Sequence, residues 1–161
     1  MGYTHYYTRP IKNAGSAFMY CKLALDAKTI CDYAQANGIP LANADAEAGT
    51  QPEFTEGYFS LNGVIDENGD NGHETFYWAG IPTQPEYRKN SPEYFNFCKT
   101  AYKPYDAVVT AILIRAKAIY GSCISVSSDG HWEEWQAGRD LYEKIFDEVA
   151  ANPLVKLQPI E

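Results

Sequence analysis

The 161-residue chain fits one domain and is long enough to bury a core without disulfides or a structural metal. Its 45% hydrophobic and 14% aromatic content excludes a disordered chain, and its thirteen tyrosines supply rings that are apolar in the body and polar at the tip. A net charge of −8 disfavours DNA or RNA as a partner, because phosphates are bound mainly by basic side chains.

The first third of the chain predicts a strand, a helix and a loop. YTHYYT (3–8) is rich in β-formers and ends before Arg9-Pro10, which is typical of a short strand. A helix is predicted over 16–36, where Phe18, Cys21 and Leu25, with Ile30 and Tyr33–Ala34 after them, follow helical spacing loosely, and Asn37-Gly38 ends it. Residues 39–57 lack periodicity and predict a long loop.

The middle of the chain predicts a β-hairpin. YFSLNGVI (58–65) and ETFYW (74–78) have strand composition. The segment between them, DENGDNG (66–72), contains two Asn-Gly dipeptides, which are a strong hairpin signal. Three prolines in 79–95 predict a further loop.

The last third predicts two helices around a strand. The segment 104–120 is apolar nearly all round, which is typical of a helix buried in the middle of a domain, and Pro104 suits its first turn. SCISVSS (122–128) predicts a strand, and 131–150 predicts the last helix. The order β-α-β-β-α-β-α predicts a single α+β domain over 1–161, with a small, mostly antiparallel sheet packed by about three helices.

The cysteines and the hydropathy pattern predict a cytosolic protein. Cys21, Cys31, Cys98 and Cys123 form no CxxC pair, so we expect free buried thiols in a reducing compartment. The start of the chain shows no signal-peptide pattern, and the longest apolar stretch, AVVTAILI (107–114), is too short to span a bilayer. We therefore expect no membrane and no nucleic acid as partners.

Four stretches contain distinctive phrases: GIPLAN (38–43), GHETF (72–76), FNFCKTAYKPYDAVV (95–109) and VSSDGHWEEWQAGRDLY (126–142). Together with the initial YTHY segment they resemble a family of small proteins that is common in bacteriophage genomes and also found in bacteria. The resemblance spans most of the chain and implies a phage or prophage protein of the host cytoplasm. The family has no assigned chemistry, so the resemblance supplies no site residues.

The first candidate site precedes the helix at 104. Lys99, Thr100 and Lys103 lie before a helix N-terminus, where free amides and the helix dipole favour an anion, and Tyr105 follows them. Asp106 can instead satisfy the dipole and pair with a lysine, in which case the lysines are ordinary surface residues. The Walker pattern is missing, so a mononucleotide-binding P-loop is not predicted.

The second candidate site is VSSDG (126–130), where a strand meets a helix. Ser127, Ser128 and Asp129 are typical N-cap residues, so capping of the last helix is one interpretation. The other is ligand contact by Ser128 and Asp129, because loops at strand ends often carry function.

The third candidate site is the His73-Glu74 pair at the start of a strand. Strand alternation places the two side chains on opposite faces, and the sequence after them does not continue as a zinc-binding HExxH motif. A His/Glu pair that orients a polar ligand is favoured over a metal site assembled from His5, His73 and His131, and hydrogen-bonded strand structure is the plain alternative. We expect no metal and no cofactor.

Three functions remain open. The first is a binding protein, more plausible than an enzyme, that holds a small anionic, nucleotide-like molecule and sequesters a host immune signal; its site residues are His73, Glu74, Lys99, Thr100, Lys103, Tyr105, Ser128 and Asp129. The second is a protein-interaction module that docks on a host factor through the acidic stretch 29–87, which has no Lys or Arg; self-association into a homo-oligomer is also open. The third is a nucleotide hydrolase that uses His73 and Glu74.

Overall fold

The computed structural model describes residues 2–13 and 16–155 and has the predicted α+β architecture. Met1, Ala14–Gly15 and 156–161, which the predicted domain includes, lie outside the described residues. In chain order the helices and strands are β1 (Thr4–Pro10), α1 (Ala17–Ala36), β2 (Glu53–Phe54), β3 (Tyr58–Leu61), β4 (Ile65–Asp66), β5 (Gly69–Asp70), β6 (Phe76–Ala79), β7 (Glu93–Lys99), α2 (Asp106–Tyr120), β8 (Ser125–Ser128) and α3 (Gln136–Phe146).

The main sheet is antiparallel and places β1 between β7 and β8. Thr4 faces Lys99 on β7, and His5 faces Cys98 on one side and Ser128 on the other. The first strand of the chain is therefore the central strand of this sheet, and both strands that flank it come from the second half of the sequence.

Strand β7 was not predicted, and the predicted loop over 79–95 is wrong at its end. EYFNFCK (93–99) alternates exposed and less exposed residues, as expected for a sheet with one solvent face. The prolines that precede it made the region resemble a loop, but they lie before the strand and remove no hydrogen bond from its ladder.

The predicted hairpin is confirmed in a second sheet, of order β2-β3-β6. The first strand ends at Leu61, four residues earlier than predicted, and the Gly/Asn-rich turn folds into the small β4-β5 ribbon. Gly63 allows this ribbon to approach closely, since a Cβ there would lie 1.9 Å from the backbone oxygen of Asn71.

One hydrophobic core joins both sheets to the three helices. Helix α2 is buried nearly all round, as predicted, and it packs against both α1 and α3. The predicted apolar side of α1 is wrong at Phe18, Cys21 and Leu25, which are exposed, and right at Ile30 and Ala34, which are buried. The buried side of α1 consists of Tyr20, Leu23, Asp26, Ala27, Ile30, Cys31 and Ala34.

The last helix is shorter than predicted. Trp132–Trp135 forms a 3-10 turn, α3 begins at Gln136, and Asp147 ends it in the left-handed conformation. Among the helices of the described residues, none combines the length and the apolar character needed to cross a bilayer.

Candidate functional site

Six of the eight predicted site residues converge at one corner of the main sheet. Four segments meet there: the beginning of β1, the end of β7, the end of β8 and the beginning of α2. The three strand ends lie together because β1 pairs with both β7 and β8. His5, which the sequence suggested only as a member of a disfavoured metal site, lies at the centre of this corner and is fully buried.

His5 is hydrogen-bonded at both ring nitrogens. Its Nε2 lies 2.6 Å from Asp106 Oδ1, and its Nδ1 lies 2.8 Å from Ser128 Oγ. Thr100 Oγ1 donates to the same Asp106 oxygen at 2.6 Å. Asp106 thus pairs with a histidine and not with a lysine, and its carboxylate lies in the first turn of α2, where the helix dipole favours negative charge.

The ring of His5 is held in place by aromatic side chains. Tyr3 and Trp135 both contact it edge to face, with ring centroids 4.9 and 5.0 Å from that of His5. The side-chain oxygens of Ser128 and Asp106 supply the partners that a buried imidazole needs. The orientation of the ring is therefore fixed before any ligand binds.

The loop after β8 binds the sheet and does not cap a helix. Ser128 Oγ accepts a hydrogen bond from Gly130 N at 2.9 Å. Asp129 accepts hydrogen bonds from Thr4 N at 3.1 Å and from the Tyr6 hydroxyl at 3.3 Å. The capping interpretation is wrong because α3 begins only at Gln136, seven residues after Asp129.

Glu74 and Tyr105 brace the outer edge of β7. Glu74 accepts a hydrogen bond from Lys99 N at 2.8 Å, and the Tyr105 hydroxyl donates to the backbone oxygen of Glu74 at 2.6 Å. Burial raises the pKa of Tyr105 well above its ordinary value, so its hydroxyl stays protonated and able to donate. These two predicted residues therefore hold the corner together.

Backbone strain marks the turn between β7 and α2. Ala101 and Tyr102 both have positive φ angles, 51° and 61°, which side chains rarely adopt and which cluster at functional positions. The strained turn presents the exposed ring of Tyr102 to Tyr3, on which it stacks at 3.8 Å. Tyr3 in turn is buried, hydroxyl included.

A cleft of about 790 Å³ opens beside this corner. Residues 127–133 form one wall, and Tyr6 and a segment of 152–155 complete it; we call it the β8 cleft. Ser128 lies at the boundary between the cleft and buried His5. Pockets of this size accommodate small organic ligands.

The solvent side of the main sheet carries aromatic rings. Tyr6 on β1 and Phe95, Phe97 and Lys99 on β7 share this side, which we call the aromatic face. Phe95 and Phe97 are 38% and 48% exposed, and the Arg88 guanidinium lies 5.5 Å from the centroid of Phe95. A solvated sheet side usually carries polar residues, so the exposed rings make this side a candidate ligand-binding surface.

Lys99 lies at the cleft end of the aromatic face. It alternates with Phe97 and sits opposite Thr4, whose amide binds Asp129 of the cleft. No carboxylate of the described residues forms an ion pair with it.

Two predicted residues lie apart from this network. Lys103 pairs with Asp70 of the β4-β5 ribbon at 3.4 Å. The exposed ring of His73 makes no hydrogen bond with the described residues, although its backbone binds the side chain of Asn62. The amides of Asp106 to Val109 bond to carbonyls of 103–105, so they are not directed at a ligand.

The described residues contain no group of three or more acidic, cysteine or histidine side chains arranged to hold a metal ion. No family model matches the chain, and comparisons with curated proteins and with solved structures also found no match. The function of the protein is therefore inferred from the geometry of this corner.

Proposed function

We propose that the protein binds a small molecule with a flat ring and an anionic group, in chemical terms a nucleotide, across the aromatic face and the β8 cleft. The observation that carries the proposal is the position of Lys99, which no described carboxylate pairs with, beside exposed Phe97 on the side of the sheet that ends at the cleft. The partner is the small anionic molecule predicted from the sequence, but the site lies on the sheet and not at the N-terminus of α2.

Each part of the surface suits one part of a nucleotide. A base stacked on an exposed aromatic ring gains about 1–3 kcal/mol. The Lys99 ammonium pairs with a phosphate, and Arg88 adds a second cation near Phe95. Asp129 and Glu133 in the cleft are acceptors for sugar hydroxyls.

The similarity to phage proteins gives this binding a biological setting. A phage protein in the host cytoplasm that binds a nucleotide without consuming it lowers the free concentration of that nucleotide. Sequestration of a host immune signal is the function that follows, and it requires tight binding and no turnover.

Calorimetry with the four nucleoside monophosphates and their nucleosides tests the proposal. We expect the wild type to prefer at least one monophosphate over its nucleoside by about tenfold, because a charge-assisted hydrogen bond contributes about 1.5 kcal/mol or more. Lys99→Ala should lose that preference and still bind the nucleoside.

Lys28→Ala is the matched control, since Lys28 is an exposed lysine that pairs with Asp32 on α1. It should keep the wild-type preference. Equal affinity of the wild type for monophosphates and nucleosides, or no binding of either, contradicts the proposal. Mass spectrometry of the molecule released on denaturation, after incubation with a nucleotide extract of infected cells, then identifies the natural ligand.

A second candidate, the protein-interaction module, is favoured by one observation. Phe18 and Leu25 of α1 are 79% and 67% exposed, and a mostly apolar groove of about 710 Å³ runs between α1 and Phe54. Exposed apolar surface of this kind is typical of protein-binding sites. A wild type that forms a dimer in sedimentation velocity, while Leu25→Glu is a monomer, would assign this surface to self-association.

A further inference from the structure

Ser128, His5 and Asp106 form a connected line from the β8 cleft into the core. We infer that Ser128 is a nucleophile, that His5 is its base, and that the protein hydrolyses a small ester bound in the cleft. The inference goes beyond the proposed function: it uses the same cleft for the hydrolysis of an ester, and the nucleotide that the protein binds is not consumed.

The geometry matches what an activated serine requires. Nucleophile and base lie within hydrogen-bond distance, 2.8 Å between Ser128 Oγ and His5 Nδ1, and an acid orients the base at 2.6 Å. Because Asp106 accepts from Nε2, the neutral ring carries its proton there, and Nδ1 is left to accept the proton of Ser128. Such constellations are recognised by geometry and role and not by sequence order.

Side chains and a backbone amide around these three residues hold them in this arrangement. Thr100 donates to the Asp106 oxygen that binds His5, so the carboxylate has little freedom to rotate. Tyr3 and Trp135 hold the imidazole from its edges. The Gly130 amide donates to Ser128 Oγ at 2.9 Å, so this oxygen accepts from Gly130 while its own proton is directed at His5 Nδ1.

The residues used here differ from those of the hydrolase predicted from the sequence. That reading placed the acid/base at His73, whose ring is exposed and makes no hydrogen bond with the described residues. His5 is instead fully buried and hydrogen-bonded to Ser128, a residue that lines the cleft.

The reaction proceeds in two half-steps that balance. Ser128 Oγ forms a bond to the ester carbonyl carbon while its proton passes to His5 Nδ1, and the carbonyl electron pair moves to its oxygen. Collapse breaks the bond to the alcohol, which leaves with the proton from Nδ1. Water then attacks the acyl carbon and gives its proton to Nδ1, and Nδ1 passes that proton to Ser128 Oγ as the acyl–oxygen bond breaks, which releases the acid and free Ser128.

A small fluorophosphonate tests the nucleophile directly, because it forms an Oγ–P bond with loss of fluoride and needs no knowledge of the natural ester. Intact mass and peptide mapping should show one adduct, on Ser128, in the wild type. Ser128→Ala should give no adduct. Ser125→Ala is the matched control on the same strand and should react at the wild-type rate, since Ser125 is exposed and does not line the cleft.

Asp106→Asn keeps the size of the side chain and removes its charge, so it should react at least about tenfold more slowly. Absence of an adduct on Ser128, an adduct elsewhere, or an unchanged rate in folded Asp106→Asn overturns the inference. If Asp106→Asn does not fold, the wild type and the two serine variants decide alone.

The same reaction separates this inference from the proposed function. Labelling of Ser128 that a mixture of the four nucleoside monophosphates slows supports both. Labelling that the mixture leaves unchanged supports the nucleophile and counts against the nucleotide site. Calorimetric binding of a monophosphate with no labelling leaves the nucleotide site standing and removes the nucleophile.

Discussion

Burial divides the four free thiols into classes that differ in reactivity. Cys21 is exposed and Cys123 is half-buried, whereas Cys31 and Cys98 are buried. Burial raises the pKa of both Cys31 and Cys98 well above its ordinary value, because the apolar surroundings disfavour the thiolate. The sequence predicted free buried thiols, and exposed Cys21 corrects that prediction at one position.

We expect a disulfide reagent such as Ellman's reagent to modify native protein at Cys21 first, since the thiolate is the reactive form and Cys21 is accessible. Cys31 and Cys98 should react only after unfolding in urea. The measurement is the number of thiols released in the fast phase, with Cys21→Ser as the variant that removes one. A fast phase of unchanged amplitude in Cys21→Ser would show that a different thiol is the accessible one.

Individual site residues were predictable where their type alone was informative. Ser128, Thr100 and Glu74 are candidate site residues on sequence grounds, because hydroxyl and carboxylate side chains next to predicted strand or helix ends often bind ligands. The connection of Ser128 and Thr100 through His5 and Asp106 was not predictable, because the hydrogen bonds of His5 join residues 101 and 123 positions apart. Nothing in local spacing encodes which strands pair.

At the scale of helices and strands, α2 and α3 meet at a glycine. Gly138 lies in α3, and a Cβ added there would be 1.9 Å from the Oγ1 of Thr110 and 3.0 Å from the carbonyl of Ala107. Thr110 is fully buried and cannot move into solvent. The missing side chain therefore allows these two helices to pack at this distance.

Gly138→Ala should lower the free energy of unfolding by roughly 1–3 kcal/mol, although alanine favours a helix by about 1 kcal/mol, because overpacking outweighs the helix propensity. Urea unfolding of the variant measures the change. Gly57→Ala is the control, since a Cβ at Gly57 meets nothing within 4 Å. A Gly138→Ala protein as stable as Gly57→Ala would mean that the helix interface adjusts without cost.

Elements with a strong signal in their own sequence were predicted, and elements whose structure depends on neighbouring elements were not. Helix α2 was recognised because it is apolar on all sides over fifteen residues. The buried side of α1 was misassigned because apolar residues occur on several sides of it, and only packing against α2 selects one. Strand β7 was missed, yet it supplies Lys99 and Phe97 to the aromatic face.

At the scale of the whole molecule, the tyrosines link stability to alkaline pH. Burial raises the pKa of Tyr20 to about 12 and moves the pKa values of Tyr3, Tyr7 and Tyr105 upward from their ordinary value. A folded-state pKa above the unfolded value of about 10 means that the neutral hydroxyl contributes stability. That contribution is complete below pH 10 and is lost as the pH rises toward the folded-state value.

The urea midpoint should therefore be lower at pH 10.5 than at pH 8, since the unfolded chain releases protons from tyrosine and from the two buried thiols that the folded chain retains. Tyr20→Phe removes a hydroxyl that donates to the Thr55 carbonyl at 2.8 Å, so it should cost about 1 kcal/mol at pH 8. The same variant should lose less stability than the wild type between the two pH values, because it has one fewer group to ionise on unfolding. Equal midpoints of the wild type at pH 8 and pH 10.5 would contradict the link between tyrosine burial and stability, and an unchanged pH dependence in Tyr20→Phe would exclude Tyr20 from it.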